Sequence, residues 1–243
     1  MAGRARREIL SEVRLREGAS ADRARCRHRG EQARVELFFE PAQGPARALF
    51  VCAHGAGGHM TDRSLQAIAP RLRACGLDLV RFNFPYRAKG ARRPDPMPVL
   101  QAAFAEAAEQ ARREHQPERL ILGGRSMGGR VASLLAAQGF ACDALLLLAY
   151  PLHPAGQPEK LRDAHLPNIG VPVLCLNGSE DPLCRRDLMQ QAVQGLPRWQ
   201  MRWLEGADHS FHVRKRSGRS DAEVLDQAAG EIRGWLEGLS VLA

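Results

Sequence analysis

Three residues able to share one proton-transfer task stand in the order Ser126, Asp181, His209, each shortly after an apolar run. A serine hydroxyl is a poor nucleophile until an adjacent imidazole can take its proton. A carboxylate then fixes the tautomer of that imidazole and stabilises it once charged. The serine lies in GGRSMGGR, residues 123–130, where Gly124, Ser126 and Gly128 spell G-x-S-x-G. That is the pattern of a nucleophile elbow: a strand ends, one serine is pushed out on a tight turn, and a helix begins. Chance supplies the pattern in about one chain in ten of this composition, so its surroundings must carry the reading. The bland alternative is a glycine-rich turn whose serine merely caps the helix.

Eight histidines compete for the role of base. His28 lies near the N-terminus, His115 ends a helical stretch, and His153 and His165 fall in a connection. His54 and His59 belong to the turn after an early strand. His209 and His212 follow the last strand, and His209 sits on the short loop itself. For the acid, Asp181 follows an apolar strand and a Gly-Ser-Glu turn, with Glu180 its nearest rival. Asp208 is adjacent to His209, and neighbouring residues rarely point their side chains at each other. HGAGG, residues 54–58, can offer main-chain N–H donors to a developing oxyanion. One donor is expected at Met127, the residue after the serine, and the second at Ala56, with Gly57 the alternative.

These groups need a scaffold that gathers them, and the chain supplies one by alternating strands with helices. Strands are expected at 34–40, 46–53, 77–84, 119–123, 143–149, 171–177 and 199–204. Helices are expected at 61–75, 99–115, 127–138, 185–194 and 221–239. Such alternation predicts a mostly parallel, doubly wound α/β sheet with helices on both faces. Ligands of such sheets gather at the carboxyl ends of the strands. HGAGG, Ser126, Asp181 and His209 all fall there. So does a basic loop carrying Tyr86, Arg87, Lys89, Arg92 and Arg93. With Arg125, that loop is expected to meet an anionic group on a substrate, and His54 completes the candidate substrate contacts. The alternative is a solvated loop in an arginine-rich chain.

Composition narrows the classes. The 243 residues fit one large α/β domain at 34–243 after an arginine-rich leader at 1–33. Residues 1–30 hold nine Arg against four acids, so they supply +5 of the net +8 and the other 213 residues only +3. Nucleic-acid binding calls for a basic stripe with stacking aromatics, and aromatics are only 5% here, so it is not expected. The longest apolar run is far too short to cross a bilayer, and no secretory segment is apparent at the N-terminus. Six cysteines show neither C-x-x-C nor metal-ligand spacing, which reads as reduced thiols in a cytoplasmic protein. No metal and no cofactor are expected, and the partner is a small molecule.

GGRSMGGR, HGAGG, FNFPYR, YPLHPAGQPEKLR, NGSEDP and GADHSF together resemble the α/β-hydrolase superfamily across roughly residues 34–240. More narrowly they are similar to its small, lid-poor, dienelactone-hydrolase-like branch. That branch includes the hydrolase-like domain of a eukaryotic histone-acetylation-complex subunit. Dienelactone hydrolase itself uses a cysteine nucleophile, whereas this elbow carries Ser126. The resemblance implies an α/β-hydrolase fold with a minimal lid and an esterase-type serine hydrolase acting on a small ester or thioester. Its alternative is a catalytically silent interaction module on the same fold. The connection 151–170, about 20 residues, is too short for a multi-helix cap, so the site is expected to be open.

Overall fold

ALFVCA and ALLLL are buried at every position, as strands covered on both faces must be. They form the centre of a seven-stranded sheet in the computed structural model, which describes residues 35–241. The expected leader at 1–33 lies outside the described residues. The elements are β1 (Leu37–Glu40), β2 (Ala48–Ala53), α1 (Arg63–Ala74), β3 (Leu77–Phe82), α2 (Pro85–Ala88), α3 (Met97–His115), β4 (Leu120–Arg125), α4 (Met127–Ala137), β5 (Ala144–Leu148), β6 (Val173–Gly178), α5 (Arg186–Ala192), β7 (Trp199–Leu204) and α6 (Asp221–Val241).

The sheet order is β1-β3-β2-β4-β5-β6-β7. Only β1 runs antiparallel, against β3. Successive residues of a strand face opposite sides, so the core divides in two. Leu145 and Leu147 of β5 pack with α3 and α4, whereas Leu146 and Leu148 pack with α1 and α6. Register aligns the strand ends: Ala53 pairs with Phe82 and Gly124, Arg125 with Leu148, and Gly178 with Leu204. From β2 the chain steps outward to β3, then returns across β2 to form β4. The crevice between β2 and β4 is therefore the topological switch point, and HGAGG and Ser126 flank it.

The differences from expectation are local. The strand expected at 77–84 stops at Phe82, because the Asn83 side chain accepts the Met60 N–H and Pro85 opens a turn. Residues 85–88, expected as loop, form the short helix α2. β4 runs two residues further than expected, since Gly124 and Arg125 continue its pairing with β5. Between β5 and β6 the structure has a single 3-10 turn, Leu166–Asn168, and no cap helix. None of the described helices is long and apolar enough to cross a membrane.

Candidate active site

Ser126 has φ 52° and ψ −114°, a conformation that an L-residue rarely adopts. Its neighbours hold it there. Its N–H donates to the Leu148 carbonyl at 2.9 Å, and its own carbonyl accepts the Arg130 N–H at 3.0 Å. Close contact with β2 explains the flanking glycines. A Cβ at Gly124 would lie 2.2 Å from the Ala53 carbonyl oxygen, and one at Gly128 would lie 2.4 Å from the same atom. The serine does not cap the helix with its side chain. Its hydroxyl is committed elsewhere.

His209 Nε2 lies 2.9 Å from Ser126 Oγ, and His209 Nδ1 lies 2.8 Å from Asp181 Oδ2. The Asp181 carboxylate is completely buried, while the His209 ring is 22% exposed. Two further donors orient the carboxylate: Leu183 N–H to Oδ1 at 2.8 Å, and Asn177 Nδ2 to Oδ2 at 3.2 Å. Asn177 is itself fixed. Its Oδ1 accepts the Tyr150 N–H at 3.0 Å and its Nδ2 donates to the Tyr150 carbonyl at 3.0 Å. Sequence reasoning missed Asn177; its signal was a single polar residue closing the apolar run of β6. The rivals lie elsewhere. Glu180 is exposed. Asp208 accepts the Ser210 and His212 N–H groups, and His212 pairs with Asp221 at 2.9 Å.

The HGAGG turn approaches the serine closely enough that a Cβ at Gly55 would sit 3.4 Å from Ser126 Cβ. Gly57 N–H donates to the Tyr86 hydroxyl at 3.1 Å. The N–H groups of Ala56 and Met127 carry no hydrogen bond among the described residues. The expected substrate contacts His54 and Tyr86 are instead buried between the loops. His54 Nδ1 donates to the Gly55 carbonyl at 2.8 Å, and its Nε2 accepts the Phe84 N–H at 3.2 Å. Burial lowers its pKa, which favours the neutral ring that this pattern requires. The two side chains tie the HGAGG turn to the segment after β3.

Arg125 is turned toward the histidine loop. It donates through Nη2 to the His209 carbonyl and through Nη1 to Ser64 Oγ at 3.2 Å. Burial lowers its pKa, and no carboxylate forms an ion pair with it among the described residues. Arg87 donates to the Ala91 carbonyl within its own loop at 3.1 Å, and Lys89, Arg92 and Arg93 are exposed. No group of three or more His, Cys, Asp or Glu able to hold a metal occurs among the described residues.

A buried carboxylate, an imidazole and a serine on a strained turn can activate the hydroxyl and pass its proton onward. Unengaged N–H groups beside it can receive a developing negative charge. Solved structures share the surrounding fold. An α/β serine hydrolase without lid from Xanthomonas campestris is 21% identical, with a TM-score of 0.62 over 84% of this chain and 87% of that one. Dienelactone hydrolase from Anabaena variabilis is 17% identical, with a TM-score of 0.64 over 86% and 93%. The esterase domain of a Rhodothermus marinus protein is 15% identical, with a TM-score of 0.60 over 83% and 91%. The sequence pattern that defines the alpha/beta hydrolase domain matches residues 46–237, and this chain belongs to that family.

Proposed function

We propose that the protein is an esterase-type serine hydrolase that opens a small carboxylic ester or thioester through an acyl-enzyme. The observation that carries this reading is the unbroken hydrogen-bonded chain from buried Asp181 through His209 to Ser126, beside the unengaged N–H groups of Ala56 and Met127. Ser126 Oγ attacks the substrate carbonyl carbon while His209 Nε2 takes the hydroxyl proton. The carbonyl oxygen becomes an oxyanion bound by Met127 and Ala56, with Gly57 held back by Tyr86. Collapse breaks the bond to the alcohol or thiol, which leaves with the proton from His209. A water molecule, deprotonated by His209, then attacks the acyl-enzyme carbonyl, and Ser126 departs with that proton. Asp181 remains ionised throughout, holding the imidazole and offsetting its charge.

The uncapped β5–β6 connection supports small soluble substrates, as does similarity to a lidless serine hydrolase and an esterase domain. The free thiols Cys52, Cys75, Cys142, Cys175 and Cys184 fit a reducing, cytoplasmic setting. The test is stoichiometric labelling by a fluorophosphonate, followed by a screen of ester, thioester, lactone and peptide substrates. Ser126→Ala should abolish labelling and lower kcat by at least about a thousandfold. A fully active Ser126→Ala variant refutes the assignment. Folded wild-type protein that resists labelling points to the silent module instead.

A further inference from the structure

Beside the histidine loop lies a cavity of about 580 Å³, within the roughly 300–1,000 Å³ common for small-molecule sites. It opens on the α1–α6 face of the sheet, opposite the face that carries α4. Its apolar wall includes Ile68, Leu148, Phe211 and Leu225. Its polar lining includes Arg63, Ser64, Arg125 and the His212–Asp221 pair. Ser126 and His209 do not line it; Arg125 and Ser210, their chain neighbours, do.

The charges of this cavity are unbalanced. Asp221 pairs with His212, and Arg63 acts on the same carboxylate from further off. Neither Arg63 nor Arg125 has a direct ion-pair partner among the described residues; Arg125 is half-buried and donates to neutral acceptors, Ser64 Oγ and the His209 carbonyl, while the carboxylates of Asp62, Asp181 and Asp208 act on it from further off. A half-buried cation with no carboxylate in direct contact gains from an anion placed against it. Phe211 adds a second sign of a built wall. It holds φ 61°, unusual for a bulky residue, and is fixed by its N–H to the Asp208 carbonyl at 3.0 Å. The strained turn puts this aromatic against the cavity directly after the histidine loop.

We propose that this cavity binds a carboxylate-headed apolar molecule, its head on Arg63 and Arg125 and its tail against Phe211 and Leu225, and that Arg125 reports occupancy to His209. A carboxylate on Arg125 competes with the His209 carbonyl for the same guanidinium. Occupancy therefore changes how firmly the imidazole is held over Ser126. The binding site stands independently of the proposed hydrolase activity, whereas the coupling rests on that reading.

The probe is octanoate, titrated calorimetrically against the full chain, with octanol and acetate as controls for charge and tail. One octanoate should bind per chain, and each control should bind at least about tenfold more weakly. Arg63→Gln, at an exposed position that folding tolerates, should weaken octanoate about tenfold. Leu225→Trp, which fills the cavity without touching charge, should abolish binding. Octanoate binding that is absent, matched by octanol or acetate, or indifferent to both substitutions overturns the site. Binding should survive in Ser126→Ala, so a failed hydrolase reading leaves this result interpretable. In the active protein, octanoate should change kcat for a short neutral ester more than KM. A purely competitive effect, a raised KM with kcat unchanged, overturns the coupling and relocates octanoate to Ser126.

Discussion

Replacing Asp181 with Asn tests the whole hydrogen-bonded chain, because the structure leaves the new amide no good orientation. Asp181 Oδ1 accepts the Leu183 N–H, so the amide oxygen must stay on that side to avoid opposing two donors. The NH2 then replaces Oδ2 and faces both Asn177 Nδ2 and His209 Nδ1. Asn177 cannot flip to relieve the clash, since Tyr150 fixes its oxygen and nitrogen. His209 Nδ1 is forced to accept, which moves its proton to Nε2 and aims it at Ser126 Oγ. The base is then blocked in its resting state. The opposite flip restores the bond to His209 but confronts the Leu183 N–H with another donor, a cost of about 1–3 kcal/mol for a buried unsatisfied group. We expect kcat for a chromogenic acetate ester to fall about 10³–10⁴-fold, or about 4–5.5 kcal/mol in barrier, with KM little changed. Fluorophosphonate labelling should slow in parallel, and a thermal melt should show the fold retained. Activity within tenfold of wild type refutes the reasoning, most pointedly if Glu180→Gln proves inactive.

Three other outcomes follow from the same geometry. Tyr86→Phe removes the acceptor of the Gly57 N–H and should lower kcat about tenfold by loosening the HGAGG turn; a rise in kcat would instead identify Gly57 as the oxyanion donor that Tyr86 restrains. Gly128→Ala drives a Cβ to 2.4 Å from the Ala53 carbonyl and should cost about 3 kcal/mol or more, lowering Tm by roughly 10 °C; an unchanged melt contradicts the close packing of elbow on β2. His165, whose ring lies 2.8 Å from Ser133 Oγ, is pushed down to about 4 by burial and by nearby Arg130. Its ordinary value is 6.5, so as pH falls below that the unfolded chain takes up a proton that the folded one refuses, and stability drops until pH is near 4. The full displacement corresponds to about 3 kcal/mol, and a half-buried ring keeps about half of it. His165→Gln should therefore flatten the chemical-denaturation stability profile between pH 6.5 and 4, and an unaltered profile refutes that account.

The main elements and the serine, aspartate and histidine were legible in the sequence because each follows from one local rule. Apolar runs of five or six residues mark buried strands, and polar residues just after them fall at the ligand-binding edge. The supports were not legible, because they depend on which way a side chain turns once the sheet is assembled. Arg125 and Arg87 look equivalent in sequence, two arginines near strand ends. One reaches across to the carbonyl of a residue 84 positions away, and the other bonds within its own loop. Likewise nothing in HGAGG indicates that His54 would be buried with both nitrogens engaged, or that Tyr86 would occupy the Gly57 N–H. Those facts belong to the packing of two loops that only the β2–β3 pairing brings together. Asn177 is intermediate: its place at the end of β6 was visible, but its grip on Asp181 depends on Tyr150 from β5's far end.

The bare β5–β6 connection bears on time as much as on space. Among the described residues this connection puts no cap helix over Ser126, so in the proposed cycle arrival and departure of small molecules should wait on no slow rearrangement of it. The tempo of the cycle then falls to bond making and breaking. In the proposed cycle an acyl group on Ser126 would then meet bulk water ahead of any scarcer acceptor. An architecture of this kind inclines toward cleavage over transfer, and its progress should be insensitive to added viscogen.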